Sequence, residues 1–172
     1  MDAKTALATS SLIASLGLIF PTANAADEKI FPGSVCQPST VEISGQRLIT
    51  SGGGSTNSTV DSGRFTQTLR LDCPLVRDTV AKRWKNIYVR VRDNSSIAGV
   101  VCTANNWSSY RTNVFSTTRS TSASFRGDTE LAFPRHSFHY GRGSYNVSCN
   151  VPGNRSGTGI SSAIHSIRLV EE

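Results

Sequence analysis

The residues with chemistry to offer are histidines, carboxylates, serines and aromatic rings beside arginines. His136-Ser137-Phe138-His139 sets two imidazoles at i, i+3. On a strand such a pair points to opposite faces. In a loop the two could converge, but no Asp, Glu or Cys lies close by in sequence to complete a site. They read as ordinary loop histidines, and no D-x-D-x-D-G loop points to calcium. Glycoside cleavage needs two carboxyl groups about 5–10 Å apart. Asp72 and Asp78 flank one connection and could approach each other. The competing expectation is that Asp72 pairs with Arg70 or Arg92 across a sheet. Serines are many, yet no G-x-S-x-G turn sets one up as a nucleophile. Arg126-Gly127-Asp128 matches the tripeptide read by integrins, and Gly-Asp is also a normal turn. No catalytic residue, metal ligand or cofactor is therefore assigned, and the chain is read as a non-enzyme.

The aromatic residues are more informative. Trp84, Trp107, Tyr110 and Tyr140 fall in or near expected loops, with Arg83, Arg111 and Arg142 close by. Flat rings stack on sugar faces, and guanidinium forks hold carboxylates or phosphates. Trp107, Tyr110, Arg111 and Trp84 are the candidate binding residues, with the surface at the end of the fold that carries Trp107 and Tyr110. The competing role for both tryptophans is to close the ends of the core, since Trp is usually largely buried.

The sequence carries 18 Lys and Arg against 12 Asp and Glu, a net charge of +6, and arginine greatly outnumbers lysine. Anionic envelope polymers or acidic sugars suit such a surface. Nucleic acid does not suit an exported chain, and export is what the N-terminus implies. Leu12 to Phe20 is apolar, Pro21 breaks the run, and Ala23-Asn24-Ala25 has the small residues of a cleavage site. Residues 1–25 read as a signal peptide and 26–172 as one domain, periplasmic or secreted. No second apolar run would hold the mature chain in a membrane.

Four cysteines, Cys36, Cys73, Cys102 and Cys149, follow the leader. An even count in an oxidising compartment reads as two disulfides. Three pairings exist. Cys36–Cys73 with Cys102–Cys149 is favoured, because each bridge then joins pieces of one half of the chain.

The elements that must position these groups are strands. Between Arg64 and Pro74, Phe65, Leu69, Leu71 and Cys73 alternate with polar residues, Gln67 being the misfit, and Pro74 is expected to end the strand. Ile87 to Asp93 alternates cleanly, with Ile87, Val89 and Val91 inward. Leu75 to Asn86 is expected to be a hairpin connection between these two strands. Further strands are predicted at Val41 to Thr50, Ile97 to Thr103, around Val114 and Phe115, at Ala123 to Phe125, Leu131 to Phe133, and Ser144 to Val151. Ala26 to Ser39 reads as an extended lead-in, and Ser51 to Ser62 as a Gly/Ser/Thr-rich flexible loop. In the closing stretch, Ile160 to Val170, the inward set shifts phase between Ile164 and Ile167, the mark of a β-bulge. Eight or nine short strands without a helical period give an all-β, antiparallel β-sandwich, with a closed β-barrel as the alternative.

Three stretches carry a resemblance: Ala26-Asp27-Glu28-Lys29-Ile30-Phe31-Pro32-Gly33-Ser34-Val35-Cys36-Gln37-Pro38, Leu71-Asp72-Cys73-Pro74-Leu75-Val76-Arg77-Asp78 and Tyr145-Asn146-Val147-Ser148-Cys149-Asn150-Val151-Pro152. They resemble segments of a family of small exported bacterial proteins with no assigned activity. The resemblance implies an exported bacterial β-domain and transfers no functional residue. The leading expectation is a non-catalytic module that binds a glycan, an anionic envelope polymer or another extracellular component. The alternatives are a structural, self-assembling or protein-binding role, and a hydrolase whose site is built from distant residues.

Overall fold

The computed structural model describes residues 27–39, 48–51, 54–57, 60–61, 68–78, 83–95, 98–108, 113–135, 143–155 and 162–172. The signal-peptide reading lies outside these residues. So do the expectations for Val41, Ile43, Phe65, Gln67, Tyr110, Arg111, His136, His139 and Tyr140. The described chain is almost entirely strand: β1 (Asp27–Pro32), β2 (Gln37–Pro38), β3 (Leu48–Ser51), β4 (Gly54–Asn57), β5 (Val60–Asp61), β6 (Thr68–Leu75), β7 (Trp84–Asp93), β8 (Val101–Trp107), β9 (Asn113–Ser120), β10 (Gly127–Pro134), β11 (Ser144–Pro152), β12 (Asn154–Arg155) and β13 (Ala163–Glu171), with one 3-10 turn at Gly33–Val35. Among the described residues no helix is long and apolar enough to cross a membrane.

Two antiparallel sheets face each other. The first runs β10-β7-β13-β4-β3, with β1 also paired to β13, and the second runs β2-β6-β11-β8-β9. Neither closes on itself, so the fold is a sandwich and not a barrel. β5 and β12 add a short parallel pair. Period-two alternation builds the core between the sheets. Ile87, Val89 and Val91 from β7 and Ile164, Ile167 and Leu169 from β13 meet Leu71, Val147, Val151 and Ala104 from the other sheet, all fully buried. β13 shows why Ile164 and Ile167 share a face though three apart. The register against β7 shifts between Ile164 and Ser166, so one extra residue, His165, is accommodated as the expected bulge.

Several expectations are corrected. The lead-in is a true edge strand, β1, paired with β13 from Asp27↔Glu171 to Pro32↔Ser166. The Ser51 to Ser62 stretch holds the hairpin arm β4, not a loop alone. There the buried Ser55 hydroxyl donates to the Gly33 carbonyl at 2.7 Å. Gly33 lies where β1 gives way to β4 along the edge of β13. A Cβ there would stand 2.1 Å from the Ile164 carbonyl oxygen, so only glycine lets the 3-10 turn approach the bulge. Pro74 does not end β6, which runs on to Leu75. It lies past the two-residue partner β2, at a free edge where strands tolerate proline. The connection from Leu75 to Asn86 is not a hairpin, because β6 and β7 belong to different sheets. Ala123 to Phe125 is a turn closed by the Phe125 N–H on the Ser122 carbonyl at 2.9 Å. Gly127, with φ of 119°, opens β10 directly after it.

Both disulfides form as favoured, Cys36–Cys73 and Cys102–Cys149. Cys149 and Cys102 are direct register partners on β11 and β8. Cys36 and Cys73 continue the register Gln37↔Asp72 by one step. All four sulfurs therefore sit on the inner face of the second sheet, with no residue more than 1% exposed.

Candidate functional site

The strand period that buries the cysteines turns the intervening residues outward. On the outer face of the second sheet β6 presents Thr68, Arg70, Asp72 and Pro74, and β11 presents Ser144, Asn146, Ser148 and Asn150. β8 adds Val101, Thr103, Asn105 and Trp107. This is a polar face of amides and hydroxyls, with one indole and few charges. The register lines it up in rows: Asp72–Ser148–Thr103 and, one row on, Pro74–Asn146–Asn105.

A depression of about 350 Å³ lies along this face, lined by Arg70, Val101, Thr103, Asn105, Trp107, Ser148 and Asn150. The Trp107 indole N–H donates to the Asn146 side-chain carbonyl at 3.0 Å, which fixes the ring's orientation. Asn105 Nδ2 donates to the Thr103 carbonyl at 3.2 Å and to Ser148 Oγ at 3.4 Å. Ser148 Oγ in turn donates to Asp72 Oδ1 at 2.5 Å. Thr103 and Thr118 share a hydroxyl hydrogen bond of 2.9 Å. In the Asn105–Ser148–Asp72 chain each donor polarises the next, and these bonds hold the side chains in place before any ligand arrives.

Trp107 was expected in or near a loop at the end of the fold. It is the last residue of β8, half-buried, on the outer sheet face. The signal was present in the sequence: Val101, Thr103, Asn105 and Trp107 alternate with Cys102, Ala104 and Asn106, but polar residues on both faces hid the strand. Trp84 does not join Trp107. It is 4% exposed and packs between the sheets, 4.8 Å from the Tyr145 ring and 6.5 Å from Phe115. Its indole is a core element, so no stacking face is offered to a ligand. Sequence reading missed Arg70, Asn105, Ser148 and Asn150, whose shared face depends on the β6-β11-β8 order.

Asp72 and Asp78 do not share a site. Asp72 takes the Ser148 hydroxyl, and neither Arg70 nor Arg92 is its partner. Asp78 forms an ion pair with Lys29. Its backbone N–H reaches Glu171 Oε2 at 3.2 Å. Asp27, Asp78 and Glu171 bring their carboxylate oxygens within 4.8 Å of one another. The Lys29 ammonium already supplies a positive charge there, 3.3 Å from Glu171 Oε2.

The outer face of the first sheet is a grid of paired charges. Arg92 grips Asp128 in a two-pronged contact of 2.8 and 3.0 Å. Arg168 lies 3.4 Å from Glu130, 3.6 Å from Glu28 and 4.0 Å above the Tyr88 ring. A second depression, about 200 Å³, is lined by Arg90, Arg92, His165, Ser166 and Asp128, so its cations surround a carboxylate of their own chain. This also accounts for the integrin-like tripeptide. The Arg126 guanidinium folds back onto the Ala123 and Phe125 carbonyls, and Asp128 is held by Arg92.

The hydrogen bond from Arg92 holds the Asp128 carboxyl below its ordinary value of 3.8. A carboxyl depressed in the folded state contributes stability above its unfolded pKa and loses it as the pH falls through the folded one. Asp128→Asn is therefore expected to be slightly less stable than the parent at neutral pH, and equal to it once acid has protonated Asp128. The difference stays below about 1 kcal/mol, because both side chains are more than a third exposed. Thermal melts of the two proteins across the acid range check this.

The fold and face together define a disulfide-bonded, all-β sandwich with a polar sheet face and one fixed indole. No family model matches the sequence, and no curated protein matches it. Among solved structures, the chain is similar to the isomalto-dextranase of Arthrobacter globiformis T6 complexed with panose, at 10% identity and a TM-score of 0.34 over 69% of this chain and 21% of that one. It is similar also to a structure from work on CBM4 structure and function, at 12% identity and a TM-score of 0.32 over 87% of each chain. The chain thus spans about a fifth of the isomalto-dextranase chain. Likenesses at these TM-scores decide nothing about a ligand, which has to be read from the side chains.

Proposed function

We propose that this chain is an exported, non-catalytic module that binds glycan on the outer face of the β6-β11-β8 sheet. The observation that carries the reading is Trp107, held by Asn146 at one end of a row of neutral amides and hydroxyls. A sugar ring presents an apolar C–H face and a rim of hydroxyls. An indole matches the first, having a flat apolar body and a negative π-face. Asn and Ser match the second, since each both donates and accepts. A ring and network already fixed lose little freedom on binding, which favours affinity. Two buried disulfides fit an oxidising compartment, where extracellular glycans are met.

The test is a glycan array together with retention on insoluble polysaccharide. Trp107→Ala is expected to weaken any detected binding about thirtyfold, the scale for removing a central aromatic anchor. Melting behaviour should be little changed, since the ring lies on the outer face. Unaltered binding by a folded Trp107→Ala protein would show that this face is the wrong one.

A further inference from the structure

We infer that the glycan read by this face is an acidic oligomer whose carboxylate or sulfate is held by Arg70; this rests on the glycan reading above. Arg70 is exposed on β6 and lines the same depression as Trp107. Among the described residues its guanidinium makes no hydrogen bond and no ion pair. Several other arginines are engaged: Arg92 holds Asp128, Arg168 holds Glu130, Arg135 holds Glu172, and Arg77 donates to the Gly143 carbonyl. Arg83 and Arg90 have no such partner among the described residues, but neither lines this depression. The carboxylate nearest along β6, Asp72, is taken by Ser148 and does not line the depression. The one charge in an otherwise neutral groove is thus a cation with its donors unspent. A guanidinium fork matches an oxyanion two-pronged, with geometry that a hydroxyl does not reproduce.

The register sets the length of the ligand. Arg70 stands opposite Asn150, and Trp107 opposite Ser144, on the same central strand β11. The two partners are six residues apart, about 20 Å along an antiparallel strand. One sugar ring cannot reach from one to the other, but a short oligomer can. Ser148 and Asn105 lie between, with Asn150 beside Arg70, as neutral contacts for the intervening rings.

Calorimetry on the exported, disulfide-bonded chain tests this with matched probes: hexamers of galacturonate, glucuronate and mannuronate, each beside its carboxyl-reduced neutral counterpart, and one sulfated hexamer to separate sulfate from carboxylate. The expected result is at least one acidic hexamer bound about tenfold tighter than its neutral counterpart, as a charge-assisted contact at an open surface allows. The preference should shrink as salt rises. Arg70→Gln should erase the preference and retain neutral binding, Arg70→Lys should restore part of it, and Trp107→Ala should weaken both members alike. Dimer or monomer probes should bind more weakly than hexamers. Equal affinity within every pair, or a preference that survives Arg70→Gln, overturns the acidic assignment and leaves the glycan reading standing. No binding to acidic or neutral members, here and on the array, overturns both.

Discussion

Asp93→Ala is expected to lower the unfolding free energy by about 3 kcal/mol, since it removes a buried acceptor shared by several donors, and a buried group left unsatisfied costs about 1–3 kcal/mol. Asp93 ends β7 with its side chain fully buried. One carboxylate oxygen accepts from the Ser95 N–H at 3.0 Å and lies 3.5 Å from the Ser162 hydroxyl. The other accepts from the Val100 N–H at 3.2 Å and from the Thr121 hydroxyl. These donors come from the end of β9, the approach to β13 and the connection that carries the chain from one sheet to the other. The same connection passes Thr121 so closely that a Cβ on Gly99 would meet its carbonyl oxygen at 2.2 Å. Alanine would leave the buried Thr121 hydroxyl without the acceptor it donates to, and an orphaned buried group costs about 1–3 kcal/mol. Asp93→Asn should recover only part of the loss, because its amide nitrogen would face donors. Urea unfolding with an unchanged slope is the measurement. A loss below about 1 kcal/mol would mean that the connection is held by its own backbone and not by the carboxylate.

The pattern of what could be read beforehand follows from the same strands. Where one face is apolar and β-branched, as at Ile87, Val89 and Val91, alternation alone locates the strand and its inner side. The phase slip between Ile164 and Ile167 was legible for the same reason, since both isoleucines have to face one core. β8 was not legible in full, because Asn105 and Asn106 are both buried while one faces each way. Composition cannot tell that from a loop. β4 was missed because its inward residue is a serine whose worth depends on a carbonyl 22 positions away. Sheet order was also out of reach. β6 and β7 are adjacent in sequence and sit in different sheets, so proximity in the chain wrongly suggested a hairpin. That error matters for the site. Arg70, Ser148, Asn105 and Trp107 become one surface only when β11 lies between β6 and β8. Trp84 shows the reverse case: its type invited a binding role, and its place at the start of an inward-facing strand sent it to the core.

Replacing Cys102 and Cys149 together by alanine is expected to cost about 4 kcal/mol, again measured by urea unfolding. The bridge closes a loop 47 residues apart in sequence. Chain-entropy estimates for loops of that length give about 4 kcal/mol, through restriction of the unfolded ensemble. The loss would be a large share of the 5–15 kcal/mol typical of a folded domain. Cys36–Cys73, with a separation of 37, differs little on entropy alone, yet it occupies a different place. It ties the two-residue edge strand β2 to β6, whereas Cys102–Cys149 clasps two interior strands that form the floor of the proposed binding face. Loss of the first should therefore loosen the edge locally, with amide exchange rising around Gln37 and Pro38's neighbours before the rest. Loss of the second should lower protection across β8 and β11 and weaken the proposed glycan binding with it. Both bridges are buried, so thiol reagents should find no free sulfhydryl in the native protein and should react only after unfolding and reduction. If the Cys102/Cys149 variant unfolds within about 1 kcal/mol of the parent, the denatured chain is already compact enough that the bridge restrains little, and the stability of this sheet comes from its packed inner face alone.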